Sequence, residues 1–306
     1  MKIHHNFDTF HAHNPIVTIG MFDGVHAGHR SILAQLQHLK KLHNGESVLI
    51  TFDPHPQMLF RTNPNFGILT TMDEKLGLLA KTGLDHCIIV PFTQEFSQLS
   101  GEEYIETILY KGAQAHTVVI GYDHNYGKNA SGNFALMQKM GVKYNFAVEE
   151  IPAFDLYEMH VSSTKIRKAL YEGNVEQARE FLTYPYSLSG TVVQGKQIGR
   201  TIGFPTANIA IENTLKIIPA IGVYAARVEI ANQHCNAVVN IGTNPTIAAG
   251  LAQTIEVHIL DFNTDIYGKN LRVHFEKRLR GQQKFASLGE LQRTIQYDIE
   301  NAKKFV

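Results

Sequence analysis

The pattern of this chain changes once, near TYPYSLSG (183–190), and that change limits what it can fold into. Upstream, apolar strand-like runs alternate with helical spacing. IVTI (16–19) is followed by Ser31–His43, where Ile32, Leu33, Leu36, Leu39 and Leu42 share one helical face and Asn44-Gly45 ends the run. VLITF (48–52) breaks at DPHP, and a helical segment spans Asp73–Lys81. HCIIV (86–90) breaks at Pro91, GEEYIETILYK reads as helix, and TVVIG (117–121) is a further strand. Strands separated by helices at this spacing predict a parallel sheet, because a parallel pair needs a long crossover. Downstream, GTVVQG, TANIAI, GVYAARVEI, CNAVVNIG, TIEVHILDF and LRVHFEKRLR follow one another with only turns between. That predicts a small antiparallel β-barrel. A closing helix, Leu288 to Phe305, carries Leu291, Ile295 and Ile299 on one stripe. The expectation is a Rossmann-like α/β domain over 1–184 and a barrel domain with a C-terminal helix over 185–306.

Composition narrows the class. A chain of 306 residues has room for two cores. Lys+Arg and Asp+Glu balance at 28 each, so no basic field points to nucleic acid. The two cysteines, Cys87 and Cys235, lie far apart in apolar contexts. They form neither a disulfide framework nor a zinc site, and they suit a reducing cytoplasm. No apolar run is long enough for a membrane span, and MKIHHNFDTF has no signal-like core. A soluble, cytoplasmic protein is expected. His11 and His13 read as part of a solvated leader.

Each upstream strand ends in a polar or Gly/Pro cluster: GMFDGVHAGH, FDPHP, PFTQEF and GYDHNYG. In open α/β sheets ligands bind beyond the carboxyl ends of the strands. Turns alone explain the Gly and Pro, but not His26, His29, His55 and Asp123 arriving at one rim. There is neither a GxxxxGK[ST] loop nor a GxGxxG after a strand. The phosphate-handling element is instead VTIGMFDGVHAGHR (17–30). A helix starting near Gly28 aims free N–H groups and its positive dipole end at the strand tip. Gly24 and Gly28 admit close backbone approach, and His26 and His29 lie on one side of the first turn. Their imidazoles can offset charge on a reacting phosphoryl group. In VSSTKIR (161–167), Ser162 or Ser163 is a helix cap, while Lys165 and Arg167 load the first turn with cations that a bound anion would relieve.

Downstream, GKQIGRTIGFPTAN (195–208) joins three glycines, Gly195, Gly199 and Gly203, to Lys196 and Arg200. Thr206 and Asn208, two apart, share a face in an extended segment, and their oxygens are hard ligands suited to Mg²⁺. A plain glycine loop leading into a strand is the alternative. In TIEVHIL, Glu256 faces opposite to Ile255 and Val257. A carboxylate within a strand of a small barrel is either a general base or the partner of an arginine on a neighbouring strand.

GMFDGVHAGH, TFDPHP, GYDHNYG and VSSTKIR resemble, in order, the motifs of the adenylyl-transferring module of bacterial bifunctional riboflavin kinase/FMN adenylyltransferases. GRTIGFPTAN, VVNIGTNPT and EVHILDF resemble the riboflavin kinase module, a six-stranded barrel in that family. Together they cover the chain from about Val17 onward. The resemblance implies phosphorylation of riboflavin by ATP, then adenylylation of FMN by ATP to give FAD and pyrophosphate. It implies Glu256, His26, His29 and Arg167 as catalytic residues. For ATP it implies Gly20, Phe22, Asp23, Gly24, Ser162, Ser163, Thr164, Gly195, Lys196, Gly199 and Thr201. His55, Asp123 and Asn125 would meet flavin, and Thr206 and Asn208 would hold Mg²⁺. Expected partners are riboflavin, FMN and ATP, with no nucleic acid and no membrane; oligomeric state is left open. Three positions depart from the family pattern: His124 replaces a phenylalanine, Asn125 stands where a basic residue is common, and Arg30 follows HxGH where glutamine is usual. The alternatives are a riboflavin kinase with a degenerate adenylyl site, and a non-catalytic flavin- or nucleotide-binding regulator.

Overall fold

The computed structural model describes residues 1–60, 66–121, 125–151, 161–195, 199, 202–231, 233–243 and 253–306. It divides into two compact units, 1–162 and 163–306.

In the first unit six strands form one parallel sheet: β1 (Lys2–His4), β2 (Ile16–Ile19), β3 (Ser47–Asp53), β4 (His86–Pro91), β5 (Thr117–Gly121) and β6 (Ala147–Ile151). Their order is β1-β4-β3-β2-β5-β6. Helices α1 (Ala27–Leu42), α2 (Pro56–Phe60), α3 (Met72–Ala80), α4 (Gly101–Tyr104, running on as a π-helix to Gly112) and α5 (Phe134–Tyr144) connect them. Strand residues alternate between two cores. Val17, Ile19, Val48 and Ile50 pack on one face with Ile105, Ile108 and Met137. Ile16, Leu49 and Cys87 pack on the other with Leu33, Leu36 and Leu79. Burial on both faces explains why these strands read as unbroken apolar runs. The edge strands β1 and β6 and the helix α5 go beyond the sequence expectation. β1 has three residues, and β6 is AVEEI, whose Glu149 and Glu150 are exposed. Charges there blunt a free sheet edge and hide the strand's periodicity.

The order places one reversal. From β2 the chain moves through β3 to β4 on one side, then returns to β5 on the other side of β2. The crevice beyond the carboxyl ends of β2 and β5 is the switch point at which such sheets bind ligands. HxGH follows β2 directly.

The second unit opens with two helices, α6 (Ser163–Tyr171) and α7 (Val175–Leu182). Six antiparallel strands follow: β7 (Ser187–Val193), β8 (Ala207–Ala210), β9 (Gly222–Ile230), β10 (Gln233–Thr243), β11 (Gln253–Ile259) and β12 (Asn270–Arg280). They close into a barrel in the order β10-β11-β8-β7-β12-β9. The α6–α7 pair is built onto the barrel. Lys277 meets Glu176 at 3.0 Å, Arg179 pairs with the buried Glu276, and Arg278 donates to the Glu172 carbonyl at 3.0 Å. The C-terminal helix α8 (Leu288–Ala302) packs Ile299 and Ala302 on Val223, Ala225 and Val238 of the outer wall. It is fastened there by Arg280, whose Nε and Nη2 donate to Asp298 at 2.8–3.1 Å.

Asp298 is buried and Arg280 partly so, which makes removal of one partner costly. Asp298→Ala is expected to destabilise the second unit by about 3 kcal/mol. Arg280→Met/Asp298→Leu should be milder than Asp298→Ala alone, because no charge is left buried. Urea unfolding followed by near-UV circular dichroism reads both.

Candidate active sites

The first site is the loop between β2 and α1. Its backbone is held away from ordinary conformations: φ is +47° at Phe22, +83° at Gly24 and +39° at Val25. A β-branched residue at positive φ is strained and persists only when its surroundings enforce it. Asp23 enforces it. Its buried carboxylate accepts from the Leu69 amide at 3.0 Å, the Thr70 amide at 3.0 Å and the Thr70 hydroxyl at 3.2 Å. The Gly24 amide donates to Thr70 Oγ1 at 3.1 Å. The loop is thereby bolted to the segment leading into α3, whose start is closed by a capping box between Thr71 and Glu74.

His26 is the N-cap of α1; its Nδ1 accepts from the His29 amide over a long 3.4 Å. An Nδ1 that accepts leaves the ring proton on Nε2. The His26 and His29 rings stack with centroids 3.6 Å apart, and Phe22 stacks on the other side of His29 at 4.5 Å. His29 Nδ1 is buried and makes no hydrogen bond within the described residues. Burial, then the neighbouring His26 and Lys75 charges, hold the His29 pKa well below 6.5. This imidazole is neutral at physiological pH. Lys75 is itself buried on α3 with its pKa lowered, mainly by desolvation and against the pull of Asp23.

Phe22 and Asp23 turn their side chains into the protein, where they hold the shape of the loop. Gly20 and Gly24 lie on that loop. His55 precedes α2, where its Nδ1 accepts from the Gln57 amide at 3.2 Å and its ring lies 4.6 Å from Phe66. Asn125 follows β5 and is exposed. Asp123 and His124 lie outside the described residues.

One feature of this rim has no signal in the sequence. Phe60, Phe92, Phe52, Phe96, Tyr104 and Tyr126 form a continuous row, each ring 5.2–6.0 Å from the next. They come from the ends of β3 and β4, from α2, from α4 and from beyond β5. Phe60 at one end is exposed, and Tyr104 is buried. Phe52 and Tyr126 are buried as well, so only the Phe60 end of the row can offer a stacking face.

Ser162, Ser163, Thr164 and Arg167 sit at the start of α6, which begins at Ser163. By compactness α6 belongs with the barrel, while Ser162 ends the first unit.

The second site lies on the barrel wall. In the β8–β11–β10 ladder Asn208 stands opposite Glu256, and Glu256 opposite Asn240. Directly paired residues project to one face. That face is the outer one, opposite to Ile255, Val257 and Ile259 as the alternation predicts. Ile255, Val257 and Ile259 take the buried side of β11, whereas Glu256 enters a cavity of about 320 Å³ whose far wall is α8. Leu291, Ile295 and Phe285 give it apolar walls. A second cavity of about 390 Å³ is bounded by Val192, Ala207, Ile259 and Tyr267. Thr206 lines both.

The glycines of this loop are required by contact. A Cβ on Gly195 would collide with the Asn208 amide, and one on Gly199 with the Phe204 carbonyl. Both bring backbone against the segment that carries Thr206 and Asn208. Lys196, Arg200 and Thr201 lie outside the described residues. Among the described residues no cluster of three His, Cys, Asp or Glu could hold a metal. The oxygens of Thr206 and Asn208, beside the Glu256 carboxylate, form the hard donor set that Mg²⁺ takes.

The sheet with its histidine pair at the switch point, joined to a barrel with a carboxylate cavity, defines a nucleotide-dependent transferase with two sites. Residues 9–165 match the family model described as FAD synthetase, and residues 182–306 match riboflavin kinase. The bifunctional riboflavin kinase/FMN adenylyltransferase of Escherichia coli K12 is 38% identical over 98% of this chain and 96% of its own. That of Haemophilus influenzae is 36% identical over 94% and 93%. A crystal structure described as a macrolide-efflux protein from Streptococcus pneumoniae matches with a TM-score of 0.87 and 28% identity, over 100% of this chain and 99% of that one. The chain belongs to the bifunctional riboflavin kinase/FMN adenylyltransferase family. Among the described residues no helix is long and apolar enough to cross a membrane.

The low His29 pKa has a sign. Below pH 6.5 an unfolded chain takes up a proton that the folded site refuses, so stability falls as pH drops through that region. His29→Ala should flatten this part of the stability–pH curve. In the intact protein the His29 imidazole should titrate below 6.5 by NMR.

Proposed function

We infer that this chain makes FAD in two steps: riboflavin and ATP give FMN and ADP, then FMN and a second ATP give FAD and pyrophosphate. The observation that carries the reading is that both family matches fall on one chain, which aligns end to end with relatives named for both activities. The functional division is assigned to 1–184 for adenylyl transfer and 185–306 for the kinase. The two cysteines are free, which fits the reducing cytoplasm to which we assign the protein.

In the kinase step riboflavin occupies the cavity under α8, its ring against Leu291, Ile295 and Phe285. ATP occupies the cavity on the other side of Thr206. Glu256 accepts the proton of the ribityl 5′-hydroxyl, whose oxygen forms its bond to the γ-phosphorus as the bond to ADP breaks. Mg²⁺, when bound by Thr206 and Asn208, neutralises charge on the ATP phosphates. Gly195 and Gly199 admit backbone amides to those phosphates, and Lys196 and Thr201 extend the same loop. The support for this arrangement is the position of Thr206 on the wall common to both cavities.

In the adenylyl step an FMN phosphate oxygen attacks the α-phosphorus of ATP, and pyrophosphate leaves. His26 and His29 donate to the phosphoryl oxygens as charge builds there. Gly20 and Gly24 let the loop close on the nucleotide, with Phe22 and Asp23 holding its form. Ser162, Ser163, Thr164 and Arg167 are assigned to the ATP phosphates on their chemistry: hydroxyls, amides and a guanidinium at a helix start. The exposed Phe60 end of the aromatic row, together with His55, Asp123 and Asn125, is assigned to the flavin.

Glu256→Gln should abolish FMN formation from riboflavin while FAD still forms from supplied FMN. His29→Ala should do the reverse, with FMN accumulating and FAD falling by at least about 100-fold. Chromatography of the flavins over time separates the outcomes. If either folded variant loses both activities, the division of labour is wrong.

A further inference from the structure

β11 carries a second polar side chain on the Glu256 face. His258 lies two residues on, about 7 Å along the strand, and lines the same cavity. Its Nδ1 is 2.8 Å from the carbonyl oxygen of Pro205. A carbonyl only accepts, so Nδ1 is the donor and the proton sits there. The Phe204 ring stands edge-on to the imidazole, centroids 5.8 Å apart at 82°. The ring is thus fixed by one hydrogen bond and one aromatic contact.

The place of this bond in the ladder gives it a purpose. β11 pairs with β8 at Glu256↔Asn208 and Val257↔Ala207, and the pairing stops there. One step further, His258 would stand opposite Thr206 and Ile259 opposite Pro205. Pro205 has no N–H to donate, so a backbone ladder cannot run on through it. Thr206 therefore sits at the frayed end of β8, yet it lines both cavities and must hold its place to serve either. The His258 side chain supplies the tie that the backbone lacks.

We propose that His258 is a positioning residue of the kinase site: its Nδ1–H clamps the Pro205 carbonyl and thereby fixes Thr206 for the metal–nucleotide. This rests on the kinase reading above, and it adds a residue that acts on the metal–nucleotide through Pro205 and Thr206, while its own ring also lines the riboflavin cavity. A structural role elsewhere in the barrel would lower stability or turnover in general. The clamp instead moves the affinity for Mg-ATP more than that for riboflavin.

The test uses the full chain. His258→Ala is expected to raise the KM for Mg-ATP in FMN formation about tenfold, the worth of one lost hydrogen bond. Calorimetric binding of Mg-ATP should weaken by the same factor. The Kd for riboflavin, read by its fluorescence, should change by a smaller factor than that for Mg-ATP, because the cavity keeps Glu256 and its apolar wall. His258→Asn places an amide N–H where Nδ1 was and should recover most of the lost affinity; His258→Gln, whose N–H lies one bond further out, should not. In the wild-type chain, ¹⁵N NMR should show the neutral His258 ring protonated at Nδ1. Unchanged Mg-ATP affinity in His258→Ala overturns the proposal, as does an asparagine variant no better than alanine, or a ring protonated at Nε2. If the wild-type chain forms no FMN, it is the kinase reading that fails, and calorimetry and NMR still decide the clamp.

Discussion

The buried carboxylate of Asp23 is the fixed point on which the first site depends. Three donors of residues 69–70 converge on it, and these residues lead directly into α3. The loop that carries HxGH must cross positive φ at Phe22, Gly24 and Val25 to bring its helix start back over the strand tip. That shape is unfavourable alone, and local pairing cannot hold it, because β2 has already ended. A charge buried against amides can. The nearby Lys75, also buried, balances it within the same layer. The barrel meets the same difficulty at the end of β8, where Pro205 ends the ladder just before Thr206. In both units regular pairing runs out at a strand tip that we assign to phosphate, and a polar side chain from elsewhere bonds to the segment there.

This explains which parts of the sites were legible in the sequence. The histidine pair, the glycines and PTAN are local: their meaning follows from spacing within one turn or one strand. The alternation of apolar runs likewise gave the central strands, since β2 to β5 are buried on both faces. What escaped depends on distant contacts. Asp23 lies within the motif, yet its partners are about 46 residues away. Phe22 looks available beside two glycines, but its ring is consumed in the stack with His29. The six rings of the aromatic row are scattered from 52 to 126 with no period that would join them. The edge strands were hidden because charges that suppress edge pairing also erase the apolar signal. Glu256 was placed on the correct face of β11, but which face looks toward the barrel depends on α8, and no strand pattern contains that.

The barrel shows why its helix belongs to the site. Val223, Ala225 and Val238 form an apolar patch on the outer wall, and α8 covers it with Ile299 and Ala302. Toward its N-terminus the helix stands off enough to leave the Glu256 cavity. The Arg280–Asp298 pair borders that gap. A paired charge is a weak source of net stability, because desolvation takes back most of the attraction. Its geometry is nonetheless restrictive: a planar guanidinium donating twice to one carboxylate sets the angle of the helix as well as its distance. The pair therefore fixes the width of the cavity.

The chemical difference between the two reactions accounts for the difference between the two clusters. The nucleophile of the first reaction is an alcohol, neutral and weak, and on the proposed assignment Glu256 is the carboxylate that removes its proton. A carboxylate beside ATP repels it, and the hard oxygens of Thr206 and Asn208, which we assign to Mg²⁺, would offset that repulsion. The nucleophile of the second is a phosphate monoester, whose second pKa near 6 leaves it an anion at neutral pH. It needs no base. Two anions must instead be brought together, and the loop answers with neutral donors and a helix start while its one carboxylate, Asp23, is turned inward. A neutral His29 fits that demand: it can donate to a phosphoryl oxygen without holding the product as a fixed cation would. An acidic residue facing the HxGH crevice would undo the arrangement, just as loss of the one facing the barrel cavity would undo the other.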